Sequence, residues 1–89
     1  MEELNIILCD DERIERVLIR KQLDKYMETT HMQPIITECS SGEEFLQKIG
    51  DIAADIVLLD IYMPDMTGID LARRLREMGQ RSQIIFITS

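Results

Sequence analysis

Apolar residues fall along this chain in two rhythms. Residues 4–9, 34–39, 56–59 and 83–89 are short β-rich runs, and the third, Ile56-Val57-Leu58-Leu59, is apolar throughout. Such runs predict strands, and an unbroken one predicts a strand buried on both faces of a parallel sheet covered by helices. Between them the spacing lengthens to a helical period. Ile14, Leu18, Ile19, Leu23 and Tyr26, widened by Val17, predict a first helix. Phe45, Leu46 and Ile49 predict a second, and Leu71, Ala72 and Leu75 a third.

Polar punctuation supports these boundaries. Ser41 and Glu44 have the spacing of a capping box, Thr67 and Asp70 form a similar cap, and Gly50 and Gly79 stand where helices should end. Pro34 and Glu38 mark the second strand as an edge strand. The order βαβαβαβ with short links implies right-handed crossovers and a parallel sheet with helices on both faces. Ligands of such sheets bind beyond the carboxyl ends of the strands, at a switch in strand order.

Composition narrows the functional classes. At 89 residues the chain is one small domain, with 45% hydrophobic residues, no Trp and six Met, so its core is aliphatic. A net charge of −7 disfavours direct contact with nucleic acid or an anionic membrane. No run is long enough to span a membrane, and Met1-Glu2-Glu3 lacks the basic start of a signal peptide, so the chain reads as cytoplasmic. Cys9 and Cys39 fit no metal spacing and read as reduced core residues. His31 reads as an exposed loop residue. Arg13, Arg16, Arg20, Lys21 and Lys25 read as a solvated helix face, because Glu15 and Asp24 interrupt them.

The candidate chemistry sits at two strand ends. Asp10-Asp11-Glu12 follows the first strand and Asp60 follows the third. Acids at a helix start have an ordinary explanation, favouring the helix dipole or capping it, which accounts for one or two of them. If the first and third strands are neighbours, Asp10, Asp11 and Asp60 converge and repel, which raises carboxyl pKa values. A hard divalent cation such as Mg²⁺ removes that conflict and then lets a phosphate approach. The reaction most compatible with this set is phosphoryl transfer to a carboxylate, with Asp60 as nucleophile. Thr88, at the end of the fourth strand, offers a hydroxyl to a phosphoryl oxygen, although a β-branched residue there is also ordinary.

These residues resemble the receiver domain of two-component response regulators. The resemblance runs from Leu4 to Ser89 and rests on Cys9-Asp10-Asp11-Glu12, on the stretch from Asp55 through Asp60 and Pro64 to Gly68, and on Ile84-Ile85-Phe86-Ile87-Thr88-Ser89. It implies a flavodoxin-like (CheY-like) doubly wound sheet with strand order 2-1-3-4-5. It also implies that Asp60 accepts a phosphoryl group from a phosphohistidine on a sensor histidine kinase, without being a turnover enzyme. Asp11, Asp60 and the backbone carbonyl of Tyr62 would ligate Mg²⁺, with Asp10 helping directly or through water. Thr88 would be the switch hydroxyl and Ser89 the small residue beside it. Bulky Tyr62, two residues past the acceptor, implies slow self-dephosphorylation in an intact receiver.

Receivers continue into a further helix, strand and helix, so residues 1–89 are expected to be a receiver truncated after strand four. Strand five, the last two helices, the family's phosphoryl-contacting Lys and the output domain would then be absent, and Asp60 of these 89 residues is expected to bind Mg²⁺ but to accept phosphate poorly. The Leu-Cys-Asp-Asp-Glu run and the polar link before strand two most resemble receivers that carry a LytTR-type DNA-binding domain, implying transcriptional output. An open strand-four edge and an uncovered apolar face predict self-association into a homo-oligomer. The main alternative is a receiver-like interaction module that works without phosphorylation. A dehalogenase-like phosphatase would need a DxD after its first strand, and a flavodoxin-type flavin protein a Ser/Thr/Gly-rich loop there. Neither is present.

Overall fold

The computed structural model describes residues 2–88. Its elements are β1 (Glu2–Cys9), α1 (Arg13–Met27), β2 (Met32–Cys39), α2 (Gly42–Ile49), β3 (Ile56–Asp60), α3 (Gly68–Glu77) and β4 (Gln83–Ile87). All strand pairs are parallel, in the order β2-β1-β3-β4. This is the α/β architecture expected from the alternation of runs and helical stripes.

The two central strands show why their sequences are apolar without interruption. Side chains alternate between faces along a strand. On one face Ile7, Cys9, Val57 and Leu59 pack with Phe45 and Ile49 of α2 and Leu71 and Leu75 of α3. On the other, Ile6, Leu8 and Leu58 pack beneath Ile19, Leu23 and Met27 of α1. Both cysteines are buried and free, and His31 is exposed, as their sequence contexts indicate.

Three local details depart from the sequence pattern. First, α1 contains no buried residue, and Ile14, Val17, Leu18 and Tyr26 are exposed. Its apolar residues span a wider arc than the face that meets the sheet, and of them Ile19, Leu23 and Met27 pack against the buried strand residues. Second, β2 starts at Met32, which places Pro34 inside it. An edge strand tolerates the missing N–H, and β2 is an edge. Third, no Asp caps α1. Its N-cap is Glu12, which makes no side-chain cap, and Asp10 Oδ1 instead accepts from the Glu12 N–H at 2.9 Å.

The other helix starts are held more firmly. Ser41 Oγ accepts from Glu44 N–H at 3.1 Å and Thr67 Oγ1 from Asp70 N–H at 3.1 Å. The reciprocal half of the first box is displaced by one residue, since Glu44 Oε1 accepts from Ser40 N–H at 2.6 Å. At the end of α3, Gly79 adopts a φ of 81°, the left-handed conformation that glycine takes without strain.

Gly68 matters for a different reason. A Cβ built there would collide with the carbonyl oxygen of Asp60, and the Gly68 N–H already donates to Ile61 O at 2.9 Å. The start of α3 therefore lies against the end of β3, at a distance only glycine allows. Gly50 is the opposite case, with open space around the position of a Cβ and a φ of −67°. In urea unfolding, Gly68→Ala should lose about 1–3 kcal/mol through overpacking, whereas Gly50→Ala should be neutral or gain about 0.5 kcal/mol.

Candidate functional site

Adjacency of β1 and β3 brings their carboxyl ends to one rim. Cys9 of β1 is in register with Leu59 of β3, so the next residues are Asp10 on one strand and Asp60 on the other. One carboxylate oxygen from each of Asp10, Asp11 and Asp60 lies within 4.8 Å of the others. The convergence expected from sequence is present. Asp10 is 1% exposed and Asp60 5% exposed, while Asp11 is half-buried.

Asp10 and Asp60 are each held by the backbone around them. Asp10 donates its N–H to Cys39 O at 3.1 Å, extending the β1–β2 pairing by one bond. Asp60 Oδ1 accepts from Tyr62 N–H at 3.2 Å, which leaves its second oxygen free of that bond. Burial raises the carboxyl pKa of Asp60, the Tyr62 N–H opposes the rise, and neighbouring Asp10 and Asp11 add to it. Asp10 is raised in the same way, by burial first, with the Glu12 N–H opposing and Asp11 contributing. Mutual repulsion, the cause anticipated from sequence, acts here as the smaller partner of desolvation.

The loop after β3 is pinned from outside. Asp65 accepts from Gly42 N–H at 3.1 Å and Glu43 N–H at 2.9 Å, capping α2 from a distant segment. Those two donors hold the Asp65 carboxyl below the usual range, the Glu43 N–H most of all. No local signal marks this contact, because the partners lie 22 and 23 residues away. Tyr62 turns its ring outward, 76% exposed, and its carbonyl accepts no hydrogen bond among the described residues. Thr88 is exposed and directly follows Ile87, the register partner of Asp60. Ser89, expected beside it, lies outside the described residues.

The donor set suits a hard divalent cation. It consists of three carboxylates, two of them buried without a cationic partner close enough to form an ion pair among the described residues. Among the described residues no helix is long and apolar enough to cross a membrane.

Comparison with known proteins gives the class to which this geometry belongs. The response regulator receiver domain family matches residues 6–89. The chain belongs to that family, and a receiver domain is a phosphoacceptor rather than a turnover enzyme. It is 34% identical over 88 residues to the two-component response regulator ORR41 of Oryza sativa subsp. japonica, covering 97% of this chain and 66% of that protein. It is 30% identical over 89 residues to a protein-glutamate methylesterase/protein-glutamine glutaminase of Treponema denticola, covering 100% of this chain and 23% of that one. The chain thus spans less than two thirds of either relative. Among solved structures, the response regulator TrrA of Thermotoga maritima, in complex with Mg²⁺-BeF, superposes with a TM-score of 0.82 at 30% identity, over 96% of this chain and 69% of that one. TrrA in complex with histidine kinase ThkA superposes with a TM-score of 0.76 at 30% identity, over 97% and 69%.

Crowded, buried carboxylates oppose folding when no cation is present. At neutral pH and in EDTA, Asp60→Asn should therefore stabilise the domain by about 1–3 kcal/mol. Added Mg²⁺ should stabilise the wild type and do much less for the variant. Urea unfolding with and without Mg²⁺ measures both effects.

Proposed function

We propose that residues 1–89 act as the phosphoacceptor receiver domain of a response regulator, taking a phosphoryl group on Asp60 from a phosphohistidine of a sensor histidine kinase. The observation that carries this reading is the convergence of Asp10, Asp11 and Asp60 on one rim. Asp60 Oδ1 is occupied by the Tyr62 N–H, so its other oxygen is the nucleophile. That oxygen forms a bond to phosphorus as the phosphorus–nitrogen bond of the donor breaks, and the imidazole leaves with the electron pair. Asp11, Asp60 and the Tyr62 carbonyl would hold Mg²⁺, with Asp10 contributing directly or through water. When bound, Mg²⁺ supplies the positive charge that offsets the carboxylates and the incoming phosphoryl oxygens. Thr88 follows β4 and donates its hydroxyl to the phosphorylated acceptor.

The kinase partner is supported by the crystallised pair of TrrA with ThkA. It is supported also by Ile14, Val17 and Leu18, an exposed apolar strip in the first turns of α1 beside the acidic loop. Phosphorylation would control a DNA-binding, transcriptional output domain in the cytoplasm, while this acidic segment makes no nucleic-acid contact of its own.

Incubation of the 89-residue chain with Mg²⁺ and acetyl phosphate should give a partial phosphoryl adduct on Asp60, seen by intact mass and lost in Asp60→Asn. Its decay should be slow and should quicken in Tyr62→Ala. A folded, Mg²⁺-binding protein that takes up no phosphoryl group would favour the phosphorylation-independent interaction module instead.

A second proposal concerns assembly. Strand β2 carries Pro34 and Glu38 on its edge, but β4 has no such guard, and its Ile85 and Phe86 are 51% and 43% exposed. Among the described residues β4 pairs only with β3. The 89-residue chain self-associates through this edge. Sedimentation velocity should show a dimer or larger species that Ile85→Lys converts to monomer, and a wild-type monomer would overturn the proposal.

A further inference from the structure

The main chain of Asp10 is gripped on both sides, and both grips lead to the edge strand β2. Its N–H donates to Cys39 O at 3.1 Å. Its carbonyl oxygen accepts from Arg16 Nη1 at 2.7 Å, and the same guanidinium donates through Nε to Glu38 at 3.1 Å. Cys39 and Glu38 are consecutive residues of β2. The Arg16 side chain is only 15% exposed, unlike the ordinary solvated arginine of a helix surface.

The Asp10 carbonyl needs such a partner. Strand β1 ends at Cys9 and α1 begins at Arg13, so this oxygen belongs to neither ladder. A guanidinium can meet two acceptors at once in a fixed planar fork. Here one acceptor is the carbonyl at the end of β1 and the other is Glu38, whose carboxyl is held below its usual range by Arg20 and Arg16. Glu38 also balances the charge of Arg16 and holds the guanidinium on the β2 side of the carbonyl. Asp10 Oδ1 is meanwhile tied to the Glu12 N–H at 2.9 Å, so the position of the backbone sets where the other oxygen points.

We infer that Arg16 is a positioning residue for the acidic site: bridged to Glu38, it braces the Asp10 carbonyl and so holds the Asp10–Asp11 carboxylates in the arrangement that takes a divalent cation. This inference rests on the proposed reading of those acids as the Mg²⁺ site. Arg20 supplies an internal control. It pairs with the same Glu38 at 2.8 Å, is 44% exposed, and makes no hydrogen bond to Asp10 among the described residues.

Mg²⁺ titration by calorimetry, on the full chain, compares wild type with Arg16→Ala, Arg16→Lys and Arg20→Ala. Loss of an outer-shell support of a metal ligand weakens binding by about tenfold or more, so Arg16→Ala should show about a tenfold rise in the Mg²⁺ dissociation constant. Arg20→Ala, which removes only an exposed ion pair, should stay within about twofold of wild type. Arg16→Lys should fall between them, because one ammonium cannot reproduce the fork. Amide hydrogen exchange at Glu12, which bonds to Asp10, should quicken in Arg16→Ala and not in Arg20→Ala.

Wild-type Mg²⁺ affinity in Arg16→Ala, or an equal loss in Arg20→Ala, overturns the inference. If Arg16→Ala does not fold, Arg16→Lys against Arg20→Ala makes the same comparison. If the wild type itself takes up no Mg²⁺, the metal reading of the site fails. The Glu12 exchange rates then decide on the brace alone, with equal rates in the Arg16 and Arg20 variants overturning it.

Discussion

The acidic rim depends on β1 and β3 lying side by side in parallel, buried on both faces. Parallel pairing brings both carboxyl ends to the same edge of the sheet, and the register of Cys9 with Leu59 brings Asp10 and Asp60 together. The apolar residues beneath them make that register costly to change, because a slip of one residue would exchange the two faces of the strand. Ile7, Cys9, Val57 and Leu59 already fill one cluster, and Ile6, Leu8 and Leu58 fill the other. Hydrophobic burial thus holds together charges that would otherwise separate.

That arrangement leaves a domain whose stability and whose site pull in opposite directions. Asp10 and Asp60 are buried far enough to raise their carboxyl pKa values, so the ionised pair destabilises the metal-free fold. The surrounding backbone contains the conflict. Gly68 lets α3 start against the Asp60 carbonyl, Asp65 fastens the intervening loop to the start of α2, and Arg16 joins the acidic loop to Glu38. These contacts come from three directions and hold the main chain without neutralising the acids. Such a site is held by contacts from several elements and left unsatisfied in charge, which suits a hard divalent cation.

Much of this was legible in sequence because the relevant signals are local. Continuous apolar runs, helical stripes, caps at Ser41 and Thr67, and a left-handed Gly79 each depend on residues within a few positions of one another. The edge character of β2 was legible from Pro34 and Glu38 for the same reason. Spacing also placed Asp10, Asp11 and Asp60 at strand ends, and only the assumption that β1 and β3 are neighbours was needed to bring them together.

Other features had no local signature. The face of α1 that meets the sheet was misjudged at Ile14, Val17, Leu18 and Tyr26, because periodicity shows which residues are apolar but not how much of that arc a neighbour covers. Arg16 looked like one more solvated cation of α1 until β2 placed Glu38 against it. Asp65 carries no local signal at all, and only folding brings two N–H groups of α2 to its carboxylate. Sequence alone therefore determined the order of elements, the apolar strands and the acids at their ends, since each follows from side-chain character and short-range backbone preference. Tertiary structure alone decided which groups hold those acids in place, since each of those contacts is closed by residues that chain folding brings together.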